Sequence, residues 1–190
     1  MGFATGNYLK LRHENSAKPI RIGWFPGPKG AGWVTVADKG FRDAMKNTSL
    51  RVIETKYGDP EKQIQEKLIA GVLKKHSDLD YIAGTAVSAV VATRLLRKMH
   101  LSGKTKVLSF YFGPGVYRGI KRGTIIGAPS DQPAIQVRIA LNQIVRILEK
   151  RHFFKHVRPK IIIEDKKNIK SFKSNTSLAP RGFRPTFSVN

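Results

Sequence analysis

The chain holds 190 residues, 41% of them hydrophobic, enough for one domain with a sizeable core. Its 35 Lys and Arg against 13 Asp and Glu give a formal net charge of +22, and no cysteine is present, which excludes disulfides and thiolate metal ligands. No apolar run approaches the roughly 20 residues that cross a bilayer, and residues 1–17 lack the charged, apolar, small-residue order of a signal peptide.

Residues 19–25 read as a first strand, short, apolar and bounded by Pro and Gly. The corner Gly27-Pro-Lys-Gly-Ala-Gly-Trp follows, where a strand opens into a helix and a phosphate cradle could form. Neither the GxGxxG nor the GxxxxGK[ST] order is present, so the corner reads as a small-ligand loop or a tight turn, with Lys29 in solvent. A helix at 34–47 leads to a strand at 50–56 and a helix at 60–76, with Pro60 in its first turn. That helix places Ile64, Leu68, Val72 and Leu73 on one face. A strand at 80–83, a helix at 85–99 and a strand at 105–111 continue the alternation. Between Tyr111 and Thr124, five Gly and Pro residues leave room for one short helical turn at most. A fifth strand at 124–128 and a helix at 132–151, with Ile135, Ile139, Ile144, Val145 and Leu148 aligned, complete the pattern. Such alternation predicts an α/β fold: a Rossmann-like parallel sheet with flanking helices, its ligand at the carboxyl ends of the strands.

From Phe153 the composition shifts. Residues 157–163 could add an edge strand, 166–173 form a basic run, and Arg181-Gly-Phe-Arg-Pro-Thr-Phe reads either as a docking segment or as a frayed terminus.

Enzymatic arrangements are missing. There is no GxSxG elbow, Ser109 falls inside a predicted strand, and no pair of acids is placed for acid-base work. His152 and His156 are four apart but lack a third ligand, so neither a metal nor another cofactor is expected, and catalysis is not the reading. The basic charge raises nucleic acid as a partner, yet it is spread along the helices without a zinc-finger, helix-turn-helix or aromatic RNA-binding signature. The strand ends instead carry an aromatic and polar set: Trp24 and Trp33, Tyr57 and Asp59, Thr85 and Ser88, Tyr111 and Phe112, Asp131 and Gln132. Aromatic faces attract methylammonium groups by about 0.5–2 kcal/mol per contact, so a small dipolar ligand suits such a pocket. Trp24, within its strand, reads as core.

Several runs are familiar in order and spacing: Ala83-Gly-Thr-Ala, Val107-Leu-Ser-Phe-Tyr, Val116-Tyr-Arg-Gly-Ile-Lys-Arg-Gly, Ala128-Pro-Ser-Asp-Gln and Pro180-Arg-Gly-Phe-Arg-Pro. Together with Gly27-Pro-Lys-Gly-Ala-Gly and Tyr57-Gly-Asp they resemble the trimethylamine-N-oxide-sensing members of the type I periplasmic binding proteins, which hold ligand between two α/β lobes. The resemblance spans the whole chain and matches the carboxyl-terminal part of such a protein. It implies a crossover remnant at 1–17, one ligand-binding lobe at 18–151 and a basic segment at 152–190 returning toward the hinge, with the first lobe and the leader missing. It also implies a periplasmic location, trimethylamine N-oxide as ligand, and the periplasmic sensor domain of a membrane histidine kinase as partner. On this reading Tyr111 is an aromatic wall, and Asp131, Gln132 and Asp59 make polar contacts. Thr85 and Trp33 join them, although Trp33 departs from the family's pattern. Two alternatives remain: a basic module for nucleic acid or anionic surfaces, and a sugar-binding protein of the same superfamily.

Overall fold

The period-two alternation of a strand buried on both faces organises the lobe. Ile20, Ile22 and Trp24 face one apolar cluster, and Phe25 faces another on the opposite side. The computed structural model describes residues 1–180, 182–184 and 186, so Arg181, Pro185 and Phe187 of the expected docking segment lie outside it. In chain order it runs α1 (Gly2–Arg12), β1 (Ile20–Gly27), α2 (Gly32–Ala44), β2 (Leu50–Tyr57), α3 (Lys62–Lys75), β3 (Tyr81–Gly84) and α4 (Ala86–Lys98). It continues through β4 (Lys106–Ser109), α5 (Pro114–Arg122), β5 (Gly127–Ser130), α6 (Pro133–Leu148) and β6 (Ile162–Asp165).

Strands β2, β1, β3 and β4 pair in that order, all parallel. The first cluster joins Leu9 of α1 and Phe41 of α2 to Trp24, Tyr81, Leu108 and Phe110 of the sheet. On the other face α3, α4 and α5 bring Ile69, Leu73, Ala92, Leu96 and Ile120 onto Phe25, Ile82 and Val107. The helices thus cover both faces, as the alternating pattern requires.

Five features depart from the sequence reading. Residues 114–122 form a helix of nine residues, not a single turn: Pro114 occupies its first turn, and Gly123, at φ 77°, closes it in the left-handed conformation. The glycines there allow close packing, since a Cβ on Gly119 would sit 2.6 Å from Ile125. The third helix begins at Lys62, two residues after Pro60, with Glu61 as its N-cap. The fifth strand leaves the parallel sheet after one backbone bond, Ile126 N–H to Val107 C=O at 2.8 Å, and pairs antiparallel with β6 instead. The added strand itself lies at 162–165, later than 157–163. Finally, the aligned apolar residues of α6 meet nothing that buries them, and none of its 16 residues is buried.

Residues 1–17 contain a helix bound into the lobe. Gly2 and Gly6 let α1 approach α2 so closely that a Cβ would lie 2.0 Å from the Ala37 carbonyl oxygen and 2.6 Å from that of Phe41. Tyr8 donates to Asp165 Oδ2 at 3.0 Å and ties α1 to β6. The carboxyl-terminal segment also returns to the lobe, with Ile169 buried and Phe172 against Phe112 at 4.9 Å between ring centroids.

Candidate ligand-binding site

The carboxyl ends of the parallel strands gather the loops at 27–33, 57–61, 84–86 and 110–113, with 130–132 following from β5. An aromatic series runs through this edge. Trp24 stacks on Phe41 at 4.0 Å, Phe110 tilts against Trp24 at 5.1 Å, Tyr111 follows Phe110 at 4.8 Å, and Trp33 meets Tyr111 edge-on at 5.9 Å. Its inner members are core, and the Trp24 indole N–H donates to Asp38 Oδ1 at 2.8 Å. Its outer members reach solvent: Trp33 is exposed and Tyr111 half-buried. Gly27 makes room for Trp33. It sits at φ 119°, and a Cβ there would come within 2.5 Å of the indole ring. The Gly27 carbonyl also accepts from Gly58 N–H at 2.9 Å, joining the first and second loops.

Tyr111 is fixed from behind by Ser109. Buried at the end of β4, its hydroxyl donates to the Tyr111 carbonyl at 2.7 Å and accepts from the Tyr111 N–H at 3.3 Å. Burial, and secondarily the charge of Asp131, raises the phenol's pKa above its ordinary value. Trp33 and Tyr111 thus set two aromatic rings at an angle at this edge.

The other expected residues play different parts. Thr85 is buried, with its hydroxyl on Ser88: it caps α4 by accepting from Ser88 N–H at 3.2 Å and lies 2.7 Å from Ser88 Oγ. Asp59 is exposed, and its backbone carbonyl is held from beneath. Gln132 sits in the left-handed region at φ 54° as the N-cap of α6, and its amide donates to the Lys160 carbonyl at 2.8 Å. Phe112 turns inward onto Tyr117 and Phe172, away from the Trp33–Tyr111 pair.

Gln65, which the sequence reading passed over, organises the second half of the edge. Fully buried on α3, it donates to the carbonyls of Gly58 (3.1 Å) and Asp59 (2.9 Å) and accepts from Ser88 Oγ at 2.9 Å. The signal was a lone amide beside the apolar face of Ile64, Leu68 and Val72. Among the described residues no group of three or more His, Cys, Asp or Glu could hold a metal ion, and no helix is long and apolar enough to span a membrane.

Residues 1–181 match the family described as periplasmic binding proteins and sugar binding domain of the LacI family, and the chain belongs to it. The fold is one lobe of a type I periplasmic binding protein. This is a family of binding proteins, in keeping with the absence of an enzymatic reading. Among individual relatives, the periplasmic protein TorT of Escherichia coli (strain K12) is 36% identical over 188 residues, covering 98% of this chain and 54% of TorT. The chain therefore spans about half the length of the curated relatives it matches. A solute-binding protein of an ABC transporter from Bradyrhizobium sp. BTAi1, solved with bound bis-tris, superposes with a TM-score of 0.92 at 48% identity, over 98% of this chain and 56% of that one. TorT in complex with the TorS sensor domain, in the presence of TMAO, gives 0.89 at 30% identity, over 98% and 62%.

Proposed function

We propose that this lobe forms one wall of a cleft for a small methylated-amine ligand, with trimethylamine N-oxide the leading candidate, in a periplasmic protein that reports occupancy to the sensor domain of a membrane histidine kinase. The observation that carries the reading is the edge-on Trp33–Tyr111 pair at the carboxyl ends of the strands, where the charge of Asp131 also raises the Tyr111 phenol's pKa. Ring faces attract the positive methyl shell of an N-oxide through their quadrupole. Pyranose recognition calls for several polar side chains around an aromatic plane, and here the Thr85 hydroxyl and the Gln132 amide N–H already have partners. Two relatives support the assignment: TorT at 36% identity, seen elsewhere with TorS in the presence of TMAO, and a 48%-identical protein holding bis-tris, itself a tertiary amine.

The opposite wall would come from a second lobe. Of the 17 large hydrophobic side chains exposed among the described residues, 11 fall between Val137 and Ile162, on α6 and the segment after it. That concentration marks a surface built to be covered. Residues 18–151 then form the ligand-binding lobe, and 1–17 and 152–190 the segments near the hinge. Closure changes the face shown to the kinase only if ligand prefers the closed state.

The test is a calorimetric titration of trimethylamine N-oxide into a two-lobed form, made by joining this chain to the first lobe of the 48%-identical relative. Tyr111→Ala is expected to weaken binding about two- to thirtyfold, from the loss of about 0.5–2 kcal/mol of ring contact. Unchanged affinity removes Tyr111 from the site, and heat from hexoses but none from the N-oxide overturns the ligand assignment. The 48% identity to a transporter component favours a second reading, delivery to an ABC transporter. Ligand-dependent co-elution with a kinase sensor domain separates the two.

A further inference from the structure

At the opposite end of the strands lies a groove that the proposed ligand site does not use. Between α4 and α5, over the start of β4, a concavity of about 630 Å3 is walled by Arg94 and Arg97 on one side and Arg118 and Arg122 on the other, with Lys106 below. No carboxylate lines it. All five cationic side chains are exposed, and among the described residues none forms an ion pair. Asp80, just before β3, accepts from the Arg21 N–H at 2.8 Å and does not line the groove. The sequence shows the same bias: residues 81–130 carry eight Lys or Arg and no Asp or Glu. An ordinary solvated face intersperses the two signs, as α2 and the turn after it do with Lys39, Asp43 and Lys46.

We propose that this groove binds a small multivalent oxyanion, one carrying three or more negative charges. The guanidinium pairs stand at i,i+3 on α4 and i,i+4 on α5, so each helix presents two planar donors on one face. Guanidinium groups match phosphate or carboxylate oxygens in bidentate fashion. Arg97 and Arg122 also complement the carboxyl ends of their helices, and this accounts for those two alone. The two helix ends contribute about half a negative charge each, against five full positive ones. Concavity and volume fall in the range of small-ligand pockets. The site is independent of the cleft at the other end of the strands.

Inorganic tripolyphosphate, titrated calorimetrically into the intact chain at physiological salt, tests the proposal. Binding is expected for the unaltered protein, and at least a tenfold loss for Arg97→Gln with Arg118→Gln. The control pair Lys62→Gln with Lys67→Gln, on the exposed face of α3, removes the same net charge and is expected to leave affinity unchanged. Circular dichroism confirms that each variant is folded. No binding by the unaltered chain overturns the proposal, as does equal weakening by both pairs, which means diffuse charge. Retention of duplex DNA or a hexaglutamate peptide with tripolyphosphate silent also overturns it, in favour of a macromolecular partner. None of these outcomes depends on the N-oxide titration.

Discussion

Replacing Gln65 by Leu keeps the volume of a buried side chain and deletes its three polar contacts, with Gly58 C=O, Asp59 C=O and Ser88 Oγ. The losses are unequal. Asp59 is exposed and Gly58 half-buried, so water can reach the two carbonyls and each bond contributes toward the low end of the usual range, about 0.5 kcal/mol. Ser88 is fully buried and loses an acceptor without access to solvent, which costs about 1 kcal/mol, its contact with Thr85 Oγ1 remaining. The sum is about 2 kcal/mol, or roughly 4–8 °C in midpoint for a domain of this size. Gln65→Glu should cost more, because a carboxylate cannot donate to the two carbonyls and sets its charge against them. Urea unfolding of Gln65→Leu, Ser88→Ala and the double variant gives the coupling, expected near 1 kcal/mol. A single-variant cost below about 0.5 kcal/mol, together with additivity within about 0.3 kcal/mol, would refute the claim that this amide ties the second loop to α4.

Three further outcomes are expected. The carboxylate of Glu54 is held at about 2 by Lys56 first, then His76 and Lys75, against the opposing effect of burial. Its folded-state value lies below the ordinary 4.5, so the contribution is present above that pH and lost as pH falls toward 2. Urea midpoints measured from pH 6 down to pH 3 should fall, and Glu54→Gln should flatten the slope. Burial, and then the bond to Asp165, lifts the Tyr8 phenol to about 12, so its contribution is full below 10 and lost as pH rises through 12. Among the raised phenols, which include Tyr81 and Tyr111, an absorbance titration should show a phase near 12 that Tyr8→Phe removes, at a cost of about 1 kcal/mol. Gly27→Ala forces a side chain into φ 119° and against the Trp33 ring, so it should cost about 1–3 kcal/mol and shift the tryptophan emission; an unchanged spectrum and midpoint would refute the close approach.

Much of the lobe was legible because its strands are buried on both faces and therefore read as continuous apolar runs. Strands β1 to β4 and helices α2, α3, α4 and α6 all lie within a few residues of their expected places. Helix α5 was hidden by its composition. Gly115 and Gly119 look like loop residues, yet each faces a neighbour too close for a side chain, with Cβ distances of 2.8 Å to Val90 and 2.6 Å to Ile125. The pairing of β5 was hidden for another reason: its partner β6 lies more than thirty residues on, beyond any local periodicity. At the ligand edge, the aromatic members could be read from their place after each strand. The division of labour could not. Whether the Thr85 hydroxyl faces a cleft or caps a helix depends on Ser88 and Gln65, and Gln65 comes from a different helix.

Helix α6 bears most directly on the cleft. A 16-residue helix without a single buried side chain lacks the tertiary packing that stabilises most helices in proteins, and isolated helices of that length are marginal in water. Its exposed apolar side chains, among them Val137, Leu141, Ile144 and Leu148, therefore require a covering surface if the helix is to persist. The requirement reaches the ligand edge, because the first turn of α6 is built on it. Gln132 is the N-cap, its N–H donates to Ser130 Oγ at 3.2 Å, and Gln136 holds the Asp131 carbonyl at 2.7 Å. Asp131, whose charge raises the Tyr111 phenol's pKa, thus has its backbone held by a helix that the lobe itself does not bury. On the proposed function, a second lobe that covered α6 would also steady the backbone at Asp131, because Gln132 and Gln136 tie the first turn of the helix to Ser130 and the Asp131 carbonyl.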